Sequence, residues 1–172
     1  MFEDLVYKWN TQAGLLTSKD FEIKQKCIAL KRVAFLVFSG DQDQYDDKLD
    51  LLLKKMTEGF KTNKKYRELR IQLFLLTRVL LLRLQAHTLA DALRKLWPHL
   101  LNELVSIFED TQNEVALTFE AIKMIELMSS LNIEDFTMNQ WIFLVDSYGM
   151  NFDDTGKQAI QRQMQEENKH MS

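Results

Sequence analysis

The sequence predicts an all-α protein, and two observations indicate it. The 172 residues include only 5 glycines and 1 proline, whereas a β-sandwich or barrel of this length needs many more turn-forming residues. Apolar residues recur instead at helical spacing in successive segments, with capping and stop signals between them. Because 46% of the residues are apolar and 27% are charged, the composition is that of a globular domain large enough to bury its own core.

The first helix is predicted from Lys19 to Phe38. Thr17 and Ser18 precede it as candidate N-caps, and Ser39 and Gly40 mark its end. The apolar residues inside this segment keep the three- and four-residue spacing of one helix face. We therefore expect one side of this helix to face the core.

The second and third helices follow directly. Acidic side chains favour a helix N-terminus, so the second helix is expected to begin near an acidic cluster and to end near Gly59 and Phe60. The third helix, from Lys65 to Gln85, becomes apolar on nearly all sides by Leu73, which is typical of a helix enclosed by neighbours. We expect it to be the central helix. The acidic cluster comprises Asp41, Asp43, Asp46 and Asp47.

Three further helices are predicted in the second half of the chain. The fourth runs from Thr88 to Glu109, and Pro98 should kink or restart it because proline lacks the N–H of the helical hydrogen bond. A capping box at residues 111–114 precedes a fifth helix that ends near Ser130. A sixth helix is predicted over 132–145, with Asn132 as its cap.

Taken in pairs, these helices repeat about every 45 residues, which is the size of HEAT or armadillo units. The sequence therefore predicts a short α-solenoid of three helix pairs, and the alternative is an irregular helical bundle, because residue identities do not repeat from pair to pair. We expect the helical-repeat domain to span residues 1–148. Residues 149–172, rich in Gln and Glu, are expected to form a polar tail.

The sequence predicts no enzyme, cofactor or metal site. His87, His99 and His170 share no helix face at metal-ligand spacing, and His99, beside Pro98, is interpreted as a residue at a helix start. Motifs for phosphate binding, zinc proteolysis and nucleophilic serine are lacking. Cys27 lies in an apolar run and is expected to be a buried hydrophobe in a reducing cytosolic compartment.

Two arginines lie inside the apolar third helix. Arg78 and Arg83 have apolar neighbours one turn away, so each guanidinium must either be paired or leave the apolar surface. One interpretation is a structural ion pair that fixes helix register, with Asp110 or Asp135 as the partner. The other places Arg78 or Arg83 in a groove that receives an acidic peptide or a phosphate.

A basic segment around the second predicted turn is a candidate site for anionic lipid. From Lys54 to Arg70 there are seven basic residues against two acidic ones, and basic side chains gathered at such a turn attract anionic headgroups. The alternative is a solvated turn without a ligand. Nucleic acid is not expected, because the net charge is -3. The candidate lipid-binding residues are Lys54, Lys55, Lys61, Lys64, Lys65 and Arg67.

The N-terminal segment is a candidate interface. Trp9 precedes the first strong helix and lies close to Leu5 and Val6, which together make an apolar cluster outside the predicted repeats. We expect this cluster to contact another protein or a second copy of the chain.

Three separated motifs resemble the C-terminal helical region of the Dopey family. The first is L-K-R-V-A-F at residues 30–35, with D-Q-Y at 43–45; the second is F-L-L-T-R-V-L-L-L-R-L at 74–84. The third is L-W-P at 96–98, followed by N-E-L at 102–104. The resemblance covers about three quarters of the chain and includes little after Tyr148.

This resemblance implies a non-enzymatic role. Dopey proteins are very large cytosolic scaffolds that lie peripherally on Golgi and endosomal membranes and act in membrane trafficking and protein transport. The implied partners are a large scaffold related to Arf exchange factors, and also a phospholipid flippase, phosphoinositide and kinesin light chain. We expect this chain to mediate protein contact or dimerisation, with anionic-lipid binding as the alternative.

Overall fold

The computed structural model of the chain describes residues 4, 6, 18–42, 44–62, 66–110, 115–140 and 142–143. Every regular element in these residues is a helix, which confirms the all-α prediction. The chain divides into two compact units, residues 1–138 and 139–172, and the packing described below belongs to the first unit. The domain boundary predicted after Tyr148 lies outside the described residues and stays a prediction.

Helix bounds agree closely with the sequence-based expectations at most ends. The described residues form these helices: α1, Lys19–Ser39; α2, Asp46–Thr62; α3, Arg67–Arg83; α4, Ala86–Glu109; α5, Val115–Ser130; and α6, Glu134–Asn139.

Both ends of α1 have local causes. The Ser18 hydroxyl accepts a hydrogen bond from the Phe21 N–H at 3.3 Å, as a capping serine should, whereas Thr17 lies outside the described residues. At the other end, the Gly40 N–H donates to the Leu36 carbonyl. A Cβ at Gly40 would lie 3.0 Å from the Leu36 carbonyl oxygen and 3.1 Å from the Tyr45 ring, so a side chain at this position would crowd the turn into α2.

Of the two effects predicted for Pro98, a restart of the helix is wrong, and a kink stays a prediction. A single helix runs from Ala86 to Glu109 with Pro98 inside it. Pro98 removes the hydrogen bond to the carbonyl of Arg94, and both residues are exposed, so water is available to that carbonyl. His99 consequently lies within the helix, not at a helix start.

Asn132 does not cap the sixth helix but ends the fifth. Its φ of 50° places it in the left-handed region, which asparagine tolerates better than most residues. The Asn132 N–H donates to Ser129 O and the Ile133 N–H donates to Met128 O, the two bonds of a Schellman motif. Ile133 and Met128 are both buried, which supplies the apolar contact that accompanies such an ending. The predicted capping box at residues 111–114 lies outside the described residues.

The helices of the first unit form two layers. Helix α3 packs between α1 and α5 in one layer, while α2 packs on α4 in the other. Contacts of α2 with α3 and of α4 with α5 join the layers, so each layer is built from every second helix, as expected for stacked helix pairs. Ten of the 17 residues of α3 are buried, which confirms that it is the central helix.

Large apolar side chains of α3 are buried in the core between the layers. Leu69, Leu73, Phe74 and Leu76 of α3 are all fully buried. The Phe74 ring contacts Phe60 of α2 edge-on, with centroids 6.2 Å apart and planes at 64°. The core therefore fixes α3 against the α2 layer and leaves the opposite side of α3 for other contacts.

Candidate interaction groove

A groove crosses the outer side of the layer that α1, α3 and α5 form. Its volume is about 680 Å³, and each of the three helices contributes four lining residues at positions i, i+3, i+4 and i+7. Equivalent positions are 44 residues apart between α1 and α3 and 48 apart between α3 and α5, close to the predicted period. We call this the three-helix groove; it is lined by Lys31, Ala34, Phe35, Phe38, Leu75, Arg78, Val79, Leu82, Lys123, Glu126, Leu127 and Ser130.

Large apolar side chains line this groove without being covered. Phe35 is 67% exposed, Phe38 55% and Leu82 51%, while Ala34 and Val79 beneath them are buried. Single exposed apolar residues are ordinary on protein surfaces, but a contiguous group marks a site of interaction. The same spacing that buries one side of each helix in the core places these residues on the opposite side.

Further exposed apolar residues lie on α1 and α5, N-terminal to the residues that line the groove. Phe21 and Ile28 on α1 are 51% and 42% exposed, and they lie two helical turns apart. On α5, Phe119 and Ile122 lie one turn before the lining residues and are also exposed. The uncovered apolar surface is therefore longer than the groove itself.

Arg78 lies in the wall of the groove and is paired. Its guanidinium donates to the Glu120 carboxylate at 2.5 Å and to the Glu120 backbone carbonyl at 3.2 Å. Lys123 donates to the other oxygen of the same carboxylate at 2.7 Å. The partner is thus Glu120 of the neighbouring α5, and the expectation of Asp110 or Asp135 is wrong. Arg78 therefore forms an ion pair, and its second predicted role, receiving an acidic peptide or a phosphate in a groove, stays a prediction.

The electrostatics of this cluster hold Glu120 ionised. Burial raises the pKa of the Glu120 carboxyl, but hydrogen bonds from Lys123 and Arg78, together with their charges, outweigh burial and leave the pKa below its ordinary value. A carboxylate with two cationic donors is a poor proton carrier near neutral pH. The cluster therefore shapes the groove wall and fixes α3 against α5.

Arg83 has a different role from Arg78. Its guanidinium donates to the Gly40 carbonyl at 2.5 Å, which joins the C-terminal end of α3 to that of α1. Its Nε is buried and forms no hydrogen bond within the described residues. Arg83 lines a small second cavity beside the α1–α2 turn and not the three-helix groove. It stabilises the carbonyl that α1 leaves at its end.

A third arginine forms the ion pair that sequence reasoning missed. Arg70 of α3 donates to the Glu103 carboxylate of α4, and both residues are buried, at 7% and 2% exposure. A signal was present in the sequence, because Glu103 continues the spacing of Leu96, Leu100 and Ile107 on the apolar side of the fourth helix. An acid on a core-facing stripe requires a buried cation.

The predicted lipid-binding residues are only partly gathered. Lys54 and Lys61 are exposed and seven residues apart on α2. Lys55 is bonded to Glu58 at 2.9 Å, and Arg67 is half-buried with an interaction of its own. Lys64 and Lys65 lie outside the described residues. Lipid binding by this segment stays a prediction.

Of the three candidate N-terminal interface residues, the structure describes Val6. Val6 is fully buried, so its own side chain is not part of an exposed patch. Leu5 and Trp9 lie outside the described residues. A contact through these residues stays a prediction.

Cys27, His87 and His99 lie within the described residues. Burial first, then the charge of Glu68, raises the pKa of the Cys27 thiol to about 11, so the thiol is protonated and buried as expected. His87 is exposed on α4, and burial together with the charge of Lys61 lowers the pKa of His99. The described residues contain no group of three potential metal ligands. Among the same residues, no helix has the length and hydropathy needed to cross a membrane.

Comparison with known proteins identifies the family. A model of the DOP1 C-terminal family matches residues 4–171. The chain belongs to this family. Membership of the Dopey, or DOP1, proteins that three sequence motifs predicted is thereby confirmed, over more of the chain than those motifs cover.

Individual DOP1-type proteins are moderately similar to the chain. Protein DOP1B of Mus musculus is 34% identical over 115 residues, which are 67% of this chain and 5% of that protein. Protein pad-1 of Caenorhabditis elegans is 31% identical over 118 residues, 66% of this chain and 5% of that protein. Protein DOP1 homolog of Drosophila melanogaster is 30% identical over 108 residues, which are 61% of this chain and 4% of that protein. The chain therefore spans only a small fraction of the length of these relatives. No solved structure matches it significantly.

Proposed function

We propose that this chain is a non-enzymatic interaction domain of a DOP1-type scaffold that acts in Golgi–endosome membrane trafficking. The observation that carries the proposal is the three-helix groove, where Phe35, Phe38 and Leu82 are more than half exposed on a rigid layer of packed helices. Contiguous apolar surface of this kind lowers the free energy of association when a partner covers it.

The polar groups of the groove also favour binding over catalysis. Arg78 and Lys123 both hold the Glu120 carboxylate, whose lowered pKa keeps it ionised. The cluster has no poised proton donor or acceptor, and its hydrogen bonds serve to orient the side chains of the wall. Such an arrangement discriminates between partners by charge and shape.

The partners and the location are part of the same proposal. The chain acts in the cytoplasm, peripherally on Golgi and endosomal membranes. A scaffold related to Arf exchange factors is the first candidate partner, and a flippase, kinesin light chain or a second copy of the chain are further candidates. Family membership supports this assignment, and the groove supports a protein partner.

A groove variant in the full-length DOP1-type protein tests the proposal. Phe35→Glu places a charge in the groove, and Met138→Glu is a matched control, because Phe35 and Met138 are 67% and 71% exposed and only Phe35 lines the groove. We expect Phe35→Glu to abolish co-purification of the Arf-exchange-factor-related scaffold and Met138→Glu to retain it. Retention by both variants would count against the groove as the interaction site.

A second candidate function is binding to an anionic membrane surface through α2. Lys54 and Lys61 support it, since both are exposed on one side of α2 and their side chains have no ion pair with any described residue. Lys54→Glu/Lys61→Glu should weaken binding to vesicles that contain phosphoinositide. Lys24→Glu/Lys31→Glu makes the same charge change at the same spacing on α1 and is the control. Equal binding by both variants would contradict a site on α2.

A further inference from the structure

We infer that the three-helix groove receives an amphipathic helix from a protein partner, with carboxylates along the helix edge that faces α1. The inference rests on the proposed interaction function and specifies the chemistry of the partner. It follows from the length of the uncovered apolar surface, from the spacing of the lining residues and from the distribution of charge on the two walls.

The length of the uncovered surface favours a helix over a compact small molecule. Exposed apolar residues on α1 run from Phe21 through Ile28 and Phe35 to Phe38, which is about 25 Å at the helical rise of 1.5 Å per residue. A small-molecule site encloses most of its ligand, whereas Phe35 and Phe38 stay more than half exposed. A helix of about 17 residues has the matching length.

The spacing of the lining residues favours the same partner. Each wall and the floor present side chains at i, i+3, i+4 and i+7, so the three helices form parallel ridges with grooves between them. A partner helix with an apolar stripe of the same spacing fits between such ridges, as in other complexes where an amphipathic helix lies in a groove. Leu75 and Val79 of α3 form the floor that this stripe would cover.

The charge on the two walls differs in sign. On α1, Lys24 and Lys31 are exposed two turns apart, and the side chains of both lack an ion pair with the described residues. On α5, the exposed Glu126 side chain likewise lacks an ion pair with the described residues, whereas Lys123 is paired with Glu120. The two acids of α1, Asp20 and Glu22, both lie in the first helical turn, and Glu22 is paired with Lys26. A partner helix therefore gains from carboxylates that face α1 and loses from carboxylates that face Glu126.

Two designed peptides test this inference with the 172-residue chain. Both are 17-residue helices with leucines at i, i+3, i+4 and i+7; one carries Glu along one edge of the leucine stripe, and the other carries Lys there. Because exposed charge pairs contribute modestly, we expect wild type to bind the Glu peptide about fivefold more tightly than the Lys peptide. Fluorescence anisotropy measures both affinities, and the preference should shrink as salt is added.

Two charge-reversal variants make the test specific to α1. Lys24→Glu/Lys31→Glu should reverse the preference, so that the Lys peptide binds more tightly. Lys54→Glu/Lys61→Glu changes the net charge equally on α2 and should leave the preference unchanged. Phe35→Glu should abolish binding of both peptides, whereas Met138→Glu should retain it.

Three outcomes would overturn the inference. Failure of both peptides to bind wild type, or equal affinity for both that charge reversal does not change, removes the acidic-edged helix as the partner. Sedimentation equilibrium of wild type giving a dimer that Phe35→Glu dissolves would assign the groove to a second copy of the chain. In each case the proposed interaction function still stands if Phe35→Glu abolishes co-purification of the trafficking partner, and it fails separately if co-purification persists.

Discussion

Each half of α3 carries an arginine that pairs with a glutamate of a neighbouring helix, and the two pairs differ in burial. In the N-terminal half, Arg70 pairs with Glu103 where both are almost completely buried; in the C-terminal half, Arg78 pairs with Glu120, and both side chains keep about a sixth of their surface exposed. Leu82, one turn beyond Arg78, is half exposed. The first half joins α3 to the other layer, and the second half forms the floor and wall of the groove.

The difference separates stability from binding along one helix. A buried charge that loses its partner cannot be solvated, whereas a charge at a groove wall can turn to water. We therefore expect changes in the N-terminal half to act on the free energy of unfolding. Changes at the exposed, groove-lining side chains of the C-terminal half should act mainly on the binding of a partner.

The largest effect is expected when Arg70 loses its partner. Glu103→Ala removes the buried carboxylate to which the Arg70 Nε–H donates, which should lower the free energy of unfolding by about 3–5 kcal/mol. Urea unfolding followed by circular dichroism measures the change. The double variant Arg70→Met/Glu103→Leu removes both charges and should recover most of the loss. A loss below about 1 kcal/mol in Glu103→Ala would show that the two halves do not differ as described.

The next largest difference in the free energy of unfolding is expected between variants of two neighbouring leucines at the end of α3. Leu81 is 4% exposed and Leu82 51%, so truncation to alanine removes buried contacts at Leu81 alone. We expect Leu81→Ala to lower the free energy of unfolding by about 2–5 kcal/mol and Leu82→Ala by less than about 1 kcal/mol.

The same pair should show the opposite order in peptide binding. Leu82→Ala is expected to weaken binding of the Glu peptide, while Leu81→Ala, at a temperature where it is folded, should bind normally. Equal effects of the two variants on affinity would contradict the division of α3 into a structural side and a binding side.

A smaller effect is expected at the groove wall. Glu120→Gln keeps the shape but removes the charge that Arg78 and Lys123 share, and should lower the free energy of unfolding by about 1–2 kcal/mol at neutral pH. The folded-state pKa of Glu120 lies below its ordinary 4.5. The contribution of its charge is therefore present above pH 4.5 and is lost as the pH falls through the folded-state pKa.

The pH dependence provides the measurement. Unfolding of wild type and Glu120→Gln should be compared across the acid range, and the difference between them should shrink as the wild-type carboxyl becomes protonated. A difference that is constant with pH would mean that the pair stabilises the fold by packing and not by charge.

The smallest effect concerns Cys27, which lies on α1 where burial and the charge of Glu68 act on it. Its pKa is raised from 9.0 to about 11, so the folded state holds the proton more tightly than the unfolded state. The resulting stabilisation is fully present below pH 9 and is lost as the pH rises toward 11. We expect a thiol reagent to react far more slowly with the native chain at pH 8 than with the urea-unfolded chain. Equal rates in the native and unfolded chains would show that the reagent reaches Cys27 between α1 and α3 without unfolding.

The sequence determined what depends on local interactions. Apolar spacing and capping signals placed α1 within one residue of its observed ends and identified α3 as central, because helical periodicity and the Ser18 cap involve residues only a few positions apart. The all-α class and the repeat period followed from the same information, and the family followed from the resemblance of three sequence motifs. Local reasoning was wrong at Pro98 and Asn132, where the surrounding helix continued through the proline and a left-handed ending replaced the expected cap.

Tertiary structure decided the partners and the groove. Arg70 and Glu103 are 33 residues apart in sequence, and Arg78 and Glu120 are 42 apart, so each pair exists only because stacking brings separate helices together. Phe35 and Phe38 lie three residues apart within an apolar helical segment, a spacing that core residues also have. They are exposed because no described helix covers the outer side of the α1, α3 and α5 layer, and periodicity within one helix cannot show which of its apolar sides another helix will cover.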